Sequence, residues 1–359
     1  MMDLDFFLEI LGIPSTSGEE RQLAEFLKER LGAPSAGSDA ITVHESEVGD
    51  GTMNLLFDWS GTGRPSFVFC THLDTVPPFI LPEVVCVSRG DLLPDGKAAQ
   101  GDDTMIKGRG ACDAKGQIFT MYNACLELAR EGYSDFGLLL LAGEETGSWG
   151  AKAYSENNPG GDFVLVGEPT DNCLASAAKG TKSFEVSIPG KSCHSGYPEN
   201  GTSAVERFVE VMNALREAVL PDDPILGVTT WNVGDLLSGN PQNVLSPEVR
   251  FKIYFRTTFA TDGMVQNTLV KACPPGTVIH AQGGDTPQLY FSDVEGIPFK
   301  PVSFGSDAPR LDRFAGKAIC GPGSILTVHT PDEYILVSDL KRAVEQDVLI
   351  YKTVINKRT

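Results

Sequence analysis

Residues 136–145 read FGLLLLAGEE, a continuous apolar run that ends in two carboxylates. PSFVFCTHLD (65–74) and GDFVLVGEPT (161–170) have the same form. Apolar strands of this kind, with helical patterns between them, are typical of a largely parallel sheet that binds ligands at the carboxyl ends of its strands. Five polar side chains stand at those ends: His72, Asp74, Glu144, Glu145 and Glu168. We therefore expect these side chains to meet at one edge of the sheet.

Helical patterns flank the predicted strands. QIFTMYNACLELAREG (117–132) has helical spacing of its apolar residues and ends at a glycine, and a second such pattern covers about 338–355. Ser17 and Glu20 have the spacing of a capping box, which predicts a helix over about 18–31. The sequence thus predicts an α/β fold with a mixed, largely parallel sheet flanked by helices.

The pattern changes near residue 175. KGTKSFEVSIPG (179–190) and EVRFKIYFRTT (248–258) alternate like half-exposed antiparallel strands, and helical patterns cover about 202–219 and 262–273. This stretch is long enough for a small domain. We predict an inserted, smaller α+β domain at residues 176–287 inside a discontinuous main domain of residues 1–175 and 288–359.

Composition narrows the range of partners. The chain has 29 Lys and Arg against 48 Asp and Glu, a net charge of −19, which argues against nucleic acid and anionic membranes as partners. No apolar run approaches the roughly 18–20 residues that span a bilayer, and the acidic N-terminus is unlike a secretory signal. The eight cysteines include no CxxC pair, so we expect reduced thiols in a cytoplasmic protein.

Five short segments carry residues suited to metal chemistry. Each alone has an ordinary structural explanation, because strand-end acids are common on a chain with 48 of them. Two imidazoles with several carboxylates, however, form a ligand set suited to zinc, manganese or cobalt, and a two-metal site also needs a bridging carboxylate and a free carboxylate as base. The segments are THLDTVP (71–77), GRGACDAKG (108–116), AGEETG (142–147), GEPT (167–170) and LTVHTPDEY (326–334).

The ordered set of motifs resembles the co-catalytic zinc aminoacylase and carboxypeptidase family, which includes acetylornithine deacetylase, succinyl-diaminopimelate desuccinylase and aminoacylases. The resemblance covers nearly the whole chain, from IPSTSGEE (13–20) through FGSDA (304–308) to HTPDEYI (329–335). It implies a zinc-exopeptidase-like main domain and an inserted domain that acts as a lid or pairs two subunits.

The resemblance also implies a set of metal ligands. Asp113 would bridge two ions, His72 and Glu168 would complete one ion, and Glu145 and His329 would complete the other. The expected cofactor is zinc, as one or two ions, with cobalt or manganese as alternatives.

Three further residues would take part in catalysis by the same resemblance. Glu144 would be the general base, and Asp74 would orient the ring of His72 through its other nitrogen. His194, in the inserted domain, would stabilise the oxyanion. The alternative for His194 is a histidine on a surface loop.

Four more residues resemble substrate-contacting positions of the family. Arg256 would suit a substrate carboxylate, although a charge on the open face of a strand explains it equally well. The other three are Asn243, Ser306 and Asp307.

These expectations lead to a metal-dependent amidohydrolase that removes an N-acyl group from an amino acid. Acetylornithine deacetylase of arginine biosynthesis is the nearest resemblance, and succinyl-diaminopimelate desuccinylase, an aminoacylase and a dipeptidase are alternatives. The substrate would be a small N-acylated amino acid or dipeptide, and the family implies a homodimer. A non-catalytic binding protein on the same fold is the alternative from a different class.

Overall fold

The structure, a computed structural model, describes residues 2–32, 41–49 and 51–357. Contacts divide the chain into two units. The first comprises Met1–Ser176, Tyr290–Lys300 and Ser306–Thr359, and the second comprises Ala177–Leu289 and Pro301–Gly305. The short segment 301–305 thus groups with the second unit, outside the range predicted for the inserted domain.

The first unit is built on a six-stranded sheet. Its strands, in chain order, are β1 (Thr42–Val48), β2 (Thr52–Asp58), β3 (Phe67–His72), β6 (Phe136–Leu141), β7 (Phe163–Val166) and β15 (Gly316–Ile319). The order across the sheet is β1-β2-β6-β3-β7-β15. The pairs β6–β3, β3–β7 and β7–β15 are parallel, whereas β1–β2 and β2–β6 are antiparallel. The predicted mixed, largely parallel sheet is confirmed.

Helices cover this sheet because its central strands are apolar on both faces. Every residue of β2, β3, β6 and β7 is buried. The helices of the first unit are α1 (Leu4–Leu11), α2 (Arg21–Gly32), α3 (Lys115–Arg130), α4 (Trp149–Asn157) and α7 (Val337–Asn356). Tyr351 of α7 packs its ring against Phe67 and Phe136 of the sheet. Two-sided burial of this kind requires the continuous apolar runs seen in the sequence.

The predicted capping box at the start of α2 is wrong. The helix begins at Arg21, and the side chains of Ser17 and Glu20 bond to distant parts of the chain instead. Ser17 Oγ donates to Asp74 Oδ2 at 2.7 Å, and the N–H of Gly143 donates to Glu20 Oε1 at 3.2 Å. Both side chains thus take part in long-range hydrogen bonds that the local spacing does not indicate.

Two further sheets have three strands each. One joins β4 (Glu83–Val87), β5 (Asp103–Lys107) and β16 (Tyr334–Leu336) in antiparallel pairs. The other consists of β8 (Leu174–Ala178), β13 (Gln288–Leu289) and β14 (Phe299–Val302). Among the described residues, no helix has the length and apolar character that crossing a membrane requires.

The second unit contains a four-stranded antiparallel sheet and two helices. Its strands are β9 (Gly180–Pro189), β10 (Thr230–Leu237), β11 (Glu248–Thr257) and β12 (Val278–Gly283), in the order β10-β11-β9-β12. The helices are α5 (Ala204–Glu217) and α6 (Val265–Ala272). Alternate residues of β11 are buried against a separate apolar core, as the alternating sequence predicts.

Candidate metal centre

Three of the polar segments follow neighbouring parallel strands. β3 ends at His72, β6 ends at Leu141 shortly before Glu144, and β7 ends at Val166 shortly before Glu168. β3 lies between the other two, and His72 is in register with Leu141. Because parallel strands end at the same edge of a sheet, this topology gathers the imidazole and the carboxylates there.

Asp113 lies between two histidines from distant parts of the chain. The distance from His72 Nε2 to Asp113 Oδ1 is 3.0 Å, and that from His329 Nε2 to Asp113 Oδ2 is 3.4 Å. His329 Nε2 also lies 2.9 Å from Glu145 Oε1. One ligand atom each from His72, Asp113 and Glu145 lies within 4.8 Å of the others. Four of the five predicted ligands are therefore in direct contact.

The backbone at two of these residues is unusual. The peptide bond between Asp113 and Ala114 is cis, and α3 begins at the next residue, Lys115. His329 has φ of 64°, in the left-handed region that a non-glycine residue seldom occupies. Left-handed backbone at a non-glycine residue such as His329 is concentrated at functional sites, where the surrounding structure holds it in place.

The imidazoles and carboxylates of this group shift one another's pKa values. Burial opposes the charged imidazole of His72, but hydrogen bonds to Asp113 and Asp74 raise its pKa well above the usual value. Hydrogen bonds to Asp113 and Glu145 raise the pKa of His329 to about 10. Despite burial, hydrogen bonds from both histidines lower the pKa of Asp113. Positive charge is thus favoured where the ring nitrogens face the carboxylates.

At two further carboxyl groups, burial outweighs the nearby positive charge of His72. Burial, and then the charge of Glu144, raise the pKa of Glu168 well above its usual value. Glu168 Oε1 is buried and has no hydrogen-bond partner among the described residues. Burial also raises the pKa of Glu144, with Asp307 and Glu145 adding to the shift. An unsatisfied buried carboxylate among other carboxylates and imidazoles fits a divalent cation, which prefers this donor set.

The Asp74 side chain hydrogen-bonds the backbone of the segment that carries Glu144, the predicted general base. Its Oδ1 accepts the N–H of Glu144 and its Oδ2 accepts the N–H of Glu145, each at 3.0 Å, and Oδ2 also accepts from the hydroxyl of Ser17. His72 Nδ1 lies 2.9 Å from the carbonyl oxygen of Asp74 and 3.3 Å from its Oδ1. The expected contact with the His72 ring is therefore made by both the backbone and the side chain of Asp74.

Glu20 supports the same segment, and its role was missed in the sequence. Its side chain is fully buried and accepts the N–H of Gly143, so Glu20 and Asp74 together bind three successive backbone N–H groups. The only signal is its place in IPSTSGEE, where a helix cap explains the same spacing. A local pattern cannot reveal an acceptor whose donor lies more than 100 residues away in the chain.

Glu20→Ala is expected to destabilise the fold by about 1–3 kcal/mol, because it leaves the buried N–H of Gly143 without an acceptor. Urea unfolding of the full chain measures this change. Glu19→Ala is the matched control, since Glu19 is exposed, and should change the free energy of unfolding by less than about 0.5 kcal/mol. Equal effects of the two substitutions would contradict the supporting role of Glu20.

Two predicted site residues of the second unit lie side by side. The N–H of Ser195 donates to the carbonyl oxygen of Asn243 at 2.9 Å, and His194 forms a β-bridge with Val244. The exposed ring of His194 accepts the N–H of Gly196 at Nδ1, at 3.1 Å. Accepting at Nδ1 leaves Nε2 of a neutral ring as an N–H donor.

The remaining predicted substrate contacts differ in their surroundings. Arg256 lies on β11 between Thr181 and Thr230, half-buried, with its guanidinium 4.9 Å from the ring centroid of Tyr254. In the first unit, Ser306 and Asp307 are buried. Burial raises the pKa of Asp307 to about 7, with the negative charge of Asp74 adding to the shift.

Comparisons with known proteins identify the family and the fold of this chain. Residues 68–350 match the model of peptidase family M20/M25/M40. A probable carboxypeptidase of Aspergillus clavatus is 30% identical over 95% of this chain and 86% of its own length. A tripeptidase of Staphylococcus aureus has a similar structure, with a TM-score of 0.71 at 19% identity and 96% coverage of both chains. A dinuclear metal binding peptidase of Bacillus subtilis gives a TM-score of 0.66 at 11% identity, covering 98% of this chain and 97% of that one.

Proposed function

We propose a substrate and a set of residue roles from one premise: this chain belongs to peptidase family M20/M25/M40 and is a metal-dependent hydrolase of amide bonds. That premise also removes the alternative of a non-catalytic binding protein. The proposed reaction cleaves the amide bond that joins a small acyl or aminoacyl group to an amino acid with a free carboxylate. Carboxypeptidase, dipeptidase and aminoacylase activities all have this form.

The metal would be held by the cluster around Asp113. We assign Asp113 as the bridging ligand, His72 and Glu168 to one ion, and Glu145 and His329 to the other. The observation that carries the proposal is the contact of Asp113 with both histidines, at 3.0 and 3.4 Å. When bound, the metal supplies a Lewis acid that polarises the scissile carbonyl and acidifies the attacking water. Zinc is the first candidate, and cobalt or manganese suits the same donors.

Glu144 would carry the proton from the attacking water to the leaving amine. It takes a proton from the attacking water and delivers it to the leaving amine, so that the peptide or acyl bond breaks to give a carboxylate and a free amine. Burial raises the pKa of Glu144 above that of an ordinary carboxyl group, which supports this role because a more basic carboxylate accepts a proton more readily. Asp74 holds the backbone N–H of Glu144 and thereby its position.

His194 would stabilise the oxyanion. Its Nδ1 accepts a hydrogen bond from Gly196, so the Nε2–H of the neutral ring would be the donor to developing negative charge. A donor placed in this way is typically worth a few kcal/mol in the transition state.

Arg256 would bind the free carboxylate of the substrate, together with Asn243 and the Ser306–Asp307 loop. Arg256→Ala should raise KM for carboxylate substrates by roughly 10–100-fold, because a charge-assisted hydrogen bond contributes about 1.5–3 kcal/mol. Steady-state kinetics on a peptide and on its C-terminal amide checks this, since the amide should lose the effect. Arg250→Ala on the same strand is the matched control, because Arg250 is exposed and paired with Glu248. An unchanged KM in Arg256→Ala would contradict the assignment.

The choice of acyl group needs a direct assay. The first panel contains dipeptides, tripeptides, N-acetyl amino acids, acetylornithine and succinyl-diaminopimelate, each with and without a chelator. The relatives named carboxypeptidase favour peptides, whereas turnover of acetylornithine alone would favour the deacetylase of arginine biosynthesis. Turnover of none of these substrates by protein with verified metal would contradict the proposed substrate class.

A homodimer formed through the second unit and a cytoplasmic location are separate proposals from the family resemblance. A single-subunit mass in light scattering would reject the first. Recovery of the protein outside the cytoplasmic fraction of its cells would reject the second.

A further inference from the structure

A buried ion pair, Arg109–Glu333, contacts the backbone of Asp113. Arg109 Nη1 donates to Glu333 Oε2 at 2.6 Å, and both side chains are at most 2% exposed. The other oxygen, Glu333 Oε1, accepts the backbone N–H groups of Cys112 at 3.2 Å and Asp113 at 3.1 Å. Glu333 therefore binds three donors with one carboxylate.

Backbone hydrogen bonds also hold the two residues of this pair. The N–H of Arg109 donates to the carbonyl oxygen of Ile80 at 3.2 Å, and the N–H of Gly108 donates to the carbonyl oxygen of Glu333 at 3.1 Å. Glu333 stands four residues after His329 in the sequence. A single side chain thus joins the segment that carries Asp113 to the segment that carries His329, across more than 200 residues of chain.

The stability of the fold alone does not explain why the Arg109–Glu333 ion pair is buried here. Two buried charges lose their hydration, and well-packed apolar residues can often replace a buried ion pair at no cost in stability. What apolar residues cannot replace is the carboxylate that accepts the backbone N–H of Asp113. Partners that hydrogen-bond metal ligands typically change metal affinity or activity by roughly 10–100-fold when they are removed.

We propose that Glu333 and Arg109 are positioning residues that set the metal affinity of the centre by fixing the backbone at Asp113 relative to His329. This inference rests on the proposed assignment of Asp113 and His329 as ligands. Neither residue is proposed to touch the metal or the substrate.

The test is Zn2+ affinity of the full chain, measured by competition with a chelating indicator. Glu333→Gln should weaken binding by roughly 10–100-fold, because an amide cannot accept from all three donors without turning its NH2 toward one of them. Arg109→Met should also weaken binding, since it releases Glu333 from its anchor. If electrostatics alone acted, Arg109→Met would bind Zn2+ more tightly, because removing a nearby positive charge favours a bound cation.

Asp58→Asn is the matched control. The buried Asp58 carboxylate also accepts two backbone N–H groups, from Ser60 at 2.8 Å and Gly63 at 2.7 Å. It pairs with Gly137 near the start of β6, at the end of the sheet opposite the proposed centre. This variant should lose stability and keep the affinity for Zn2+.

Thermal unfolding of the metal-free proteins confirms that each variant folds. If Arg109→Met does not fold, Arg109→Lys serves in its place, since it keeps the charge, loses the guanidinium and should still bind Zn2+ more weakly. Unchanged or tighter binding in the folded Arg109 variant would overturn this inference alone. Wild-type protein that binds no Zn2+ would overturn the proposed metal centre and this inference with it.

Discussion

Glu144→Gln is expected to lower kcat by roughly 100- to 10,000-fold while the protein keeps its metal, because this range is what a positioned general base contributes. The amide has the size of the carboxylate but cannot accept a proton. The backbone of residue 144 should stay in place, because its N–H is bound by Asp74. Measuring amine release and metal content on the same sample separates loss of the base from loss of the metal.

The adjacent residue provides the matched control. Glu145 Oε1 contacts His329 Nε2 at 2.9 Å, so Glu145→Gln should lower the metal content as well as the rate. Glu144 and Glu145 are neighbours in sequence, and the Asp74 carboxylate accepts the backbone N–H of each. Their variants should nevertheless lose activity in different ways, one with metal bound and the other with less metal. Full activity of Glu144→Gln with metal bound would contradict the assignment of the base.

Asp113→Asn is expected to remove both metal binding and activity. Asp113 contacts His72 with one oxygen and His329 with the other, and asparagine replaces one of these acceptors with a donor. The loss of Zn2+ affinity should exceed the roughly 10–100-fold that removal of a ligand's hydrogen-bond partner costs. Indicator competition measures the affinity, and amine release measures the activity.

Asp347→Asn is the control for a buried carboxylate outside the cluster. Asp347 lies on α7, and burial raises the pKa of its carboxyl well above the usual value. Replacing it should leave Zn2+ affinity and turnover at wild-type levels. Asp113→Asn protein that still binds Zn2+ with wild-type affinity would show that this carboxylate is not a ligand.

The sheet and the strand ends could be predicted because their signal is local. Runs such as FGLLLL (136–141) bury both faces of a strand, and the polar residues that follow must lie beyond its carboxyl end. Once the neighbouring strands are inferred to be parallel, His72, Glu144 and Glu168 must lie at the same edge of the sheet, because each follows the carboxyl end of its strand. The residues in contact with Asp113 could be named only through the family resemblance, because nothing local relates residue 113 to residue 329.

The supporting contacts could not be predicted for the same physical reason. Ser17 and Glu20 have the spacing of a helix cap, and only the tertiary fold gives them Asp74 and Gly143 as partners. Nothing local in PDEY (331–334) shows that Glu333 is buried against Arg109. Segment 301–305 packs with the second unit, although residues 290–300 between it and that unit's main stretch belong to the first unit. Long-range hydrogen bonds and packing decide each of these cases.

The central claim is that the cluster around Asp113 is the metal centre of an amide hydrolase. The most direct test is amine release from a dipeptide and an N-acetyl amino acid by the full chain, first stripped with a chelator and then reloaded with Zn2+. We expect hydrolysis to disappear on stripping, to return on reloading, and to stay absent in Asp113→Asn protein under both conditions. Hydrolysis that persists in the stripped protein, or that returns in Asp113→Asn on reloading, would contradict the claim.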